Sequence, residues 1–386
     1  MTVRSNPQSI LPRIRERGFG WLLRRSWEKC FDPYTRVGKI LVPILGSLGV
    51  NARRPGDSLL LAYDLAVSPV TFDFIDALVE AEWHRRDLGL QNIDAVIIPG
   101  PLGGFRWEDA MFTDAVPMHL RSGRIDKILV AACELLPAMR YATVLENRSD
   151  AQSYLGASSV TFPFGYRLLT PVVHRRRALF DRARDGMPVP QVLQAPKRIH
   201  DELNATYTAQ LKDRKAVVIT IRSYGFMPDR NSTVANWIAF AQALDQTEFV
   251  PIFVPDTDSV QSDSVPDFPN AMVDTRAATD LTWRCALYEF AWLNMSVSCG
   301  PMELCWFNNA CDYAVLQNVN ATPQSSFEAI SKDGFIVGED FPWARPSQKW
   351  FWCNDNIENI NAAFAEMCRI LRDADDGPLF DSQASA

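Results

Sequence analysis

Four places in the chain put polar or glycine residues where an apolar run ends, and the chemistry available to this sequence is concentrated there. In Ser298-Cys299-Gly300-Pro301-Met302-Glu303 an apolar run passes through a glycine into a helix start. Glycine admits close backbone approach and the first N–H groups of a helix favour an anion, so this turn either receives a diphosphate or is an ordinary strand–helix connection. Arg222 ends the run 216–221, and Arg230 follows at the start of the next helical pattern. A guanidinium pairs with phosphate through two parallel hydrogen bonds, or it forms a salt bridge, here with Asp229 or Asp256. Asp256-Thr257-Asp258 ends the run 249–254. Paired carboxylates can hold Mg²⁺ or Mn²⁺ against a nucleotide diphosphate, accept hydrogen bonds from a base or ribose, or close an Asx turn. Asp64 ends the run 58–63, where it could act as general base for an acceptor hydroxyl or cap the turn near Ser68. Asp73 and Glu80 read as residues of a helix surface.

Other chemistries lack their residues. The histidines at 84, 119, 174 and 200 have no metal-ligand spacing, and no GxSxG or GxxxxGK[ST] occurs. Gly100 to Gly104 does not spell GxGxxG, which argues against a nicotinamide enzyme. None of the eight cysteines forms a CxxC pair, so they read as buried free thiols of a reducing compartment.

The elements that must position these residues alternate. Runs at 58–63, 92–99, 128–132, 216–221, 249–254, 271–273, 295–298 and 313–316 read as strands, with amphipathic helical patterns between them. Leu136–Glu146 is a candidate for another short strand. Asp280 is placed to cap a helix reaching about Leu293, and 357–372 carries an apolar stripe. Prolines 188, 190 and 196, after Arg175-Arg176-Arg177, mark a surface connection. The expected architecture is α/β, with two Rossmann-like doubly wound domains facing across a cleft. The expected divisions are a basic amphipathic segment 1–54, an N-terminal Rossmann-like domain 55–175, a connection 176–205, a C-terminal Rossmann-like domain 206–350, and a C-terminal helix and tail 351–386. In such sheets, ligands bind beyond the carboxyl ends of the strands, where the four polar clusters fall.

Charge is uneven. Residues 1–54 hold eleven Lys/Arg and three Asp/Glu, whereas the whole chain carries −7. The acidic body excludes nucleic acid as the main partner. The basic head interleaves arginines with Ile14, Phe19, Trp21, Leu22, Leu23 and Trp27; it either lies on an anionic bilayer or packs on the body. No secretory signal pattern is visible, so a cytoplasmic location, at the inner face of the membrane, is expected.

From Asp280 through Ser298-Cys299-Gly300-Pro301-Met302 to Trp306 the sequence resembles the nucleotide-sugar half of GT-B glycosyltransferases, heptosyltransferase-like members included. The order Ile221-Arg222, then Asp256-Thr257-Asp258, then this turn is similar to fucosyltransferase-like members. The resemblance spans about residues 216–316. It implies a nucleotide-diphosphate sugar as donor and a glycan or lipid-linked glycan as acceptor, with no metal cofactor. It further implies a diphosphate held by Arg222, Arg230, Ser298 and the backbone of Gly300, Pro301 and Met302, and a ribose or base read by Asp256, Asp258 and Asp274. Glu303 stands where heptosyltransferase-like members carry His. The final helix is expected to cross back to the first domain. Two other functions fit the same frame, a catalytically silent scaffold and a sugar-nucleotide 2-epimerase.

Overall fold

The computed structural model describes residues 56–375, except 159, 321, 323 and 324. The basic segment and its expected membrane contact therefore lie outside the described residues. The chain divides into two compact units, each discontinuous in sequence. Among the described residues, the first comprises residues 56–68, 85–107 and 140–174, and the second 69–84, 108–139 and 175–375. Residues 55–175 thus contribute to both units.

The first unit holds a four-stranded sheet. Its strands are β1 (Ser58–Asp64), β2 (Asn92–Ile98), β3 (Met139–Val144) and β4 (Val160–Phe162), in the order β3-β2-β1-β4. β1 pairs in parallel with both β2 and β4. β1 and β2 are buried along nearly their whole length, which is why they read as apolar runs, β2 interrupted by the buried Asp94 that Arg140 pairs with. Leu60, Ala62, Val96, Ile98, Leu145 and Tyr166 form the core on one face.

The second unit holds a six-stranded sheet of β5 (Lys215–Thr220), β6 (Phe249–Val254), β7 (Met272–Val273), β8 (Leu293–Val297), β9 (Tyr313–Leu316) and β10 (Gln348–Phe351). The order is β10-β9-β8-β5-β6-β7, with every pairing parallel. Strand order reverses between β5 and β8, which is the topological switch point of a doubly wound sheet. Val217, Ile219, Leu293 and Met295 build the core with Trp237 and Phe240 of the helix Val234–Ala243.

Three local expectations change. The run 128–132 is not a strand; it belongs to a π-helical stretch, Ile125–Val130, continued by a helical turn Ala131–Cys133. Leu129, Ala132 and Cys133 are its buried residues, a helical spacing that a five-residue apolar run conceals. β10 has no counterpart in the sequence reading, because its Gln-Lys-Trp-Phe composition breaks the apolar pattern. The final helix, Ile357–Asp375, does not leave its unit: Ile360, Ala363, Met367 and Leu371 are buried in the second sheet's core.

Candidate active site

The second unit encloses a cavity of about 680 Å³ at the carboxyl ends of β5, β6 and β8. That is within the size range of small-molecule sites, roughly 300–1,000 Å³. Arg222, Arg230, Asp256, Asp258, Ser298, Gly300 and Pro301 all line it. The fold thus brings together residues that lie far apart in sequence.

Arg222 follows β5 and is 7% exposed. Its guanidinium donates to the carbonyls of Met227 (2.9 Å) and Phe226 (2.6 Å) and to Asn231 Oδ1. Its backbone N–H donates to Ser232 Oγ at 3.0 Å. Arg222 therefore shapes the loop after β5 as well as charging the cavity, and it pairs with neither Asp229 nor Asp256. Burial first, then the charge of Arg230, lowers its hold on its proton. Arg230 donates to Ser298 O at 3.2 Å and also sits below its ordinary value, mainly through burial. No carboxylate of the described residues stands within ion-pair distance of either arginine.

Asp256 caps the turn after β6, accepting from Asp258 N (3.1 Å) and Ser223 N (3.0 Å). The Asp258 carboxyl accepts no hydrogen bond from the described residues, and burial, then Asp256, pushes its pKa up. Two expected ligand contacts do not line the cavity. Asp274 caps the helix Thr275–Thr279 through Ala277 N (2.7 Å) and accepts from Tyr207 Oη (2.6 Å) and Trp283 Nε1 (2.8 Å). Its oxygens are thus committed to the fold. Met302 is fully buried, and its backbone N–H donates to Cys299 O at 3.2 Å.

Gly300 is required by packing. A Cβ there would lie 2.7 Å from Phe72 Cδ2 and 3.1 Å from Phe72 Cβ. The close approach that the glycine allows is taken by a phenylalanine ring. The helix beyond it is short, one 3₁₀ turn at Gly300–Met302 and then Glu303–Trp306, so the positive field here comes chiefly from the arginines.

Sequence reading passed over the other charged wall. Arg176, expected in a surface connection, donates through Nε to Asp76 (2.7 Å) and through Nη2 to Asp73 (3.2 Å) and Glu303. The three carboxylates place oxygens within 4.8 Å of one another, a spacing that suits a metal ion, but the guanidinium already bridges all three. Burial, then the charges of Asp76 and Asp73, pushes Glu303 well above the usual carboxylate range against the pull of Arg176. Asp73, read as a helix-surface residue, stands in the first turn of the helix Asp73–Asp87, exposed and lining the cavity. Arg124 ends the helix Met118–Arg124 and Lys127 lies in the π-helical stretch that follows it; both line the cavity, and Arg124 donates to Tyr224 Oη at 2.9 Å.

Asp64 belongs to the first unit and is fully buried. Arg148 pairs with both of its oxygens at 2.7 Å, Tyr166 Oη donates at 2.6 Å and Ala66 N at 2.8 Å. Burial, then this carboxylate, drives the Tyr166 phenol up from its ordinary value, so the tyrosine stays a donor. With four donors fixed on it, the carboxylate is a structural hub of the loops around β1.

No family profile and no curated protein sequence matches the chain. Among solved structures, a family 9 glycosyl transferase from Veillonella parvula is similar over 83% of this chain and 98% of its own, at 10% identity and a TM-score of 0.49. The E. coli heptosyltransferase WaaC with ADP-2-deoxy-2-fluoro heptose is similar over 80% and 99%, at 9% identity and a TM-score of 0.43. A Neisseria meningitidis UDP-GlcNAc 2-epimerase is similar over 81% and 91%, at 11% identity and a TM-score of 0.34.

Proposed function

We propose that the chain is a glycosyltransferase that binds a nucleotide-diphosphate sugar in the cavity of the second unit and passes the sugar to a glycan or lipid-linked glycan. One observation carries this reading. Arg222 and Arg230 stand at the switch point of the second sheet, facing a ligand-sized cavity, with no carboxylate of the described residues paired to either. A buried guanidinium without a counter-charge is costly, and a diphosphate supplies that charge through bidentate hydrogen bonds. Asp256 and Asp258 lie where they can accept from ribose or base hydrogens.

In the transfer, the acceptor oxygen bonds to the anomeric carbon while the bond from that carbon to the diphosphate oxygen breaks. The departing nucleotide diphosphate gains negative charge, which the two guanidiniums stabilise in place of a metal ion. The acceptor's proton passes to a carboxylate. Asp73 is suited to this because it is exposed at the cavity, whereas Asp64 is held by four donors. The test is a thermal-shift screen of UDP, GDP, ADP, CMP and dTDP with their sugars. A stabilising shift with one nucleotide and turnover lost in Asp73→Asn support the transferase. A flat response to every nucleotide from a cooperatively folding protein favours the silent scaffold.

No helix of the described residues is long and apolar enough to cross a membrane. The basic residues of 1–54 instead hold the enzyme at an anionic bilayer surface, in the cytoplasm. Liposome sedimentation of the full chain against one starting at Asn51 checks this, and equal pelleting of both contradicts it.

A further inference from the structure

The short helix Glu303–Trp306 carries two polar atoms that the described residues leave unmatched. Both end residues line the cavity, and each is 3% exposed. Glu303 Oε1 accepts from Arg176, but Glu303 Oε2 is buried with no hydrogen-bond partner, and so is Trp306 Nε1. A buried donor or acceptor left unmade costs about 1–3 kcal/mol. Residues three apart on a helix share a face, so the two side chains border one stretch of wall.

The neighbouring wall is aromatic. Phe335, Trp350 and Trp352 also line the cavity. Trp350 packs against Trp306 with ring centroids 5.4 Å apart, against Phe335 at 5.3 Å and against Trp352 at 5.5 Å. An aromatic surface beside an unmatched N–H and an unmatched carboxyl oxygen is amphipathic in the way a sugar ring is, with C–H groups on its faces and hydroxyls at its rim.

We infer that this wall reads the carbohydrate part of the ligand, with Trp306 and Glu303 selecting its hydroxyl groups. A hydroxyl accepts from an indole N–H, and it also donates to a carboxylate or accepts from a carboxylic acid, so it satisfies both residues in either state of Glu303. A phosphate is disfavoured beside the crowded carboxylates of Asp73, Asp76 and Glu303, and an aliphatic group would leave both atoms unmatched. This inference rests on the nucleotide-sugar reading and names the part of the site that tells one sugar from another.

The experiment titrates full-length wild type, Trp306→Phe and Glu303→Gln with three pairs: ADP and ADP-glucose, UDP and UDP-glucose, GDP and GDP-mannose. Calorimetry gives the affinities. For the pair that binds, the nucleotide sugar is expected to exceed its nucleotide in affinity, and each variant to cut that excess about 2- to 10-fold. Affinity for the nucleotide alone is expected to stay within error. A sugar increment that survives in both variants, or no increment in wild type, overturns the inference while leaving nucleotide binding intact. Absence of binding by every nucleotide overturns the underlying reading as well. If Trp306→Phe fails to fold, the near-isosteric Glu303→Gln decides the question alone.

Discussion

Arg230 stands close enough to Arg222 for its charge, after burial, to depress the Arg222 guanidinium's hold on its proton. The two also differ in how they are held. Arg222 is tied to the loop it shapes through Phe226, Met227 and Asn231, while Arg230 has one carbonyl contact, to Ser298, and a weak one to the Met227 sulfur. Arg230→Ala should therefore weaken nucleotide-diphosphate binding about 10- to 100-fold, the worth of a charged hydrogen bond, with little change in the Tm of the free protein. Arg222→Ala should lose comparable affinity and also lower the Tm, because two loop carbonyls lose their donors. Calorimetry with a nucleotide diphosphate, together with Tm values for both variants, separates the two roles.

Asp64 and Asp73 should answer to different assays. Asp64→Asn leaves the Arg148 guanidinium partly buried without its counter-charge, and breaking such a pair costs about 3–5 kcal/mol. The expected result is a large drop in Tm. Asp73→Asn touches an exposed carboxylate, so the Tm should hold while turnover falls about 10²- to 10⁴-fold, as for loss of a general base. Denaturation and kinetics on the two variants check this. Unchanged turnover in Asp73→Asn removes it from the mechanism.

Glu303 predicts a pH dependence of stability. Its folded pKa is raised, chiefly by burial. Between the ordinary glutamate value and the raised one, the folded chain holds a proton that the unfolded chain has released. Stability from this group is therefore fully present below the unfolded pKa and is lost as pH rises toward the folded pKa. Glu303→Gln should remove that loss, so the stability of the variant relative to wild type should climb with pH across the window. Urea midpoints at a series of pH values measure it; parallel curves for the two proteins contradict it.

Gly300 and Phe72 should behave as a coupled pair. A methyl at 300 would sit 2.7 Å from the Phe72 ring and 3.1 Å from its Cβ, so the clash reaches the root of the side chain. Gly300→Ala is expected to cost about 1–3 kcal/mol, and Gly300→Ala combined with Phe72→Ala to cost less than the two single changes summed. A double-mutant cycle by urea denaturation reads the coupling.

The second sheet is legible in the sequence because β5, β6 and β9 are buried strands written as nearly continuous apolar runs closed by a polar residue, while β8 (Leu-Asn-Met-Ser-Val) buries Asn294 and Ser296 among its apolar residues. Arg222, Asp256 and Ser298 are legible as cavity-lining residues because each follows the end of a strand. Asp73 and Arg176 are not, since Arg176 lies a hundred or more positions from Asp73, Asp76 and Glu303, and a charged residue near a helix start or proline cluster reads locally as surface. Asp274 was misplaced for the opposite reason: its sequence position suits a ligand, but Tyr207 and Trp283 occupy it. The helical stretch at 118–133 was hidden by Ile128-Leu129-Val130, β-branched enough to mimic a strand. Its burial at 129, 132 and 133 becomes a signal only when the window is widened to a full helical period.

The most direct measurement of the central claim is calorimetric titration of the full-length protein with nucleoside diphosphates, wild type beside Arg230→Ala. The account predicts saturable binding of at least one nucleotide at one site per chain, weakened about 10- to 100-fold in the variant. No binding by a cooperatively folded wild type, or equal affinity in the two proteins, would contradict the assignment of this cavity to a diphosphate.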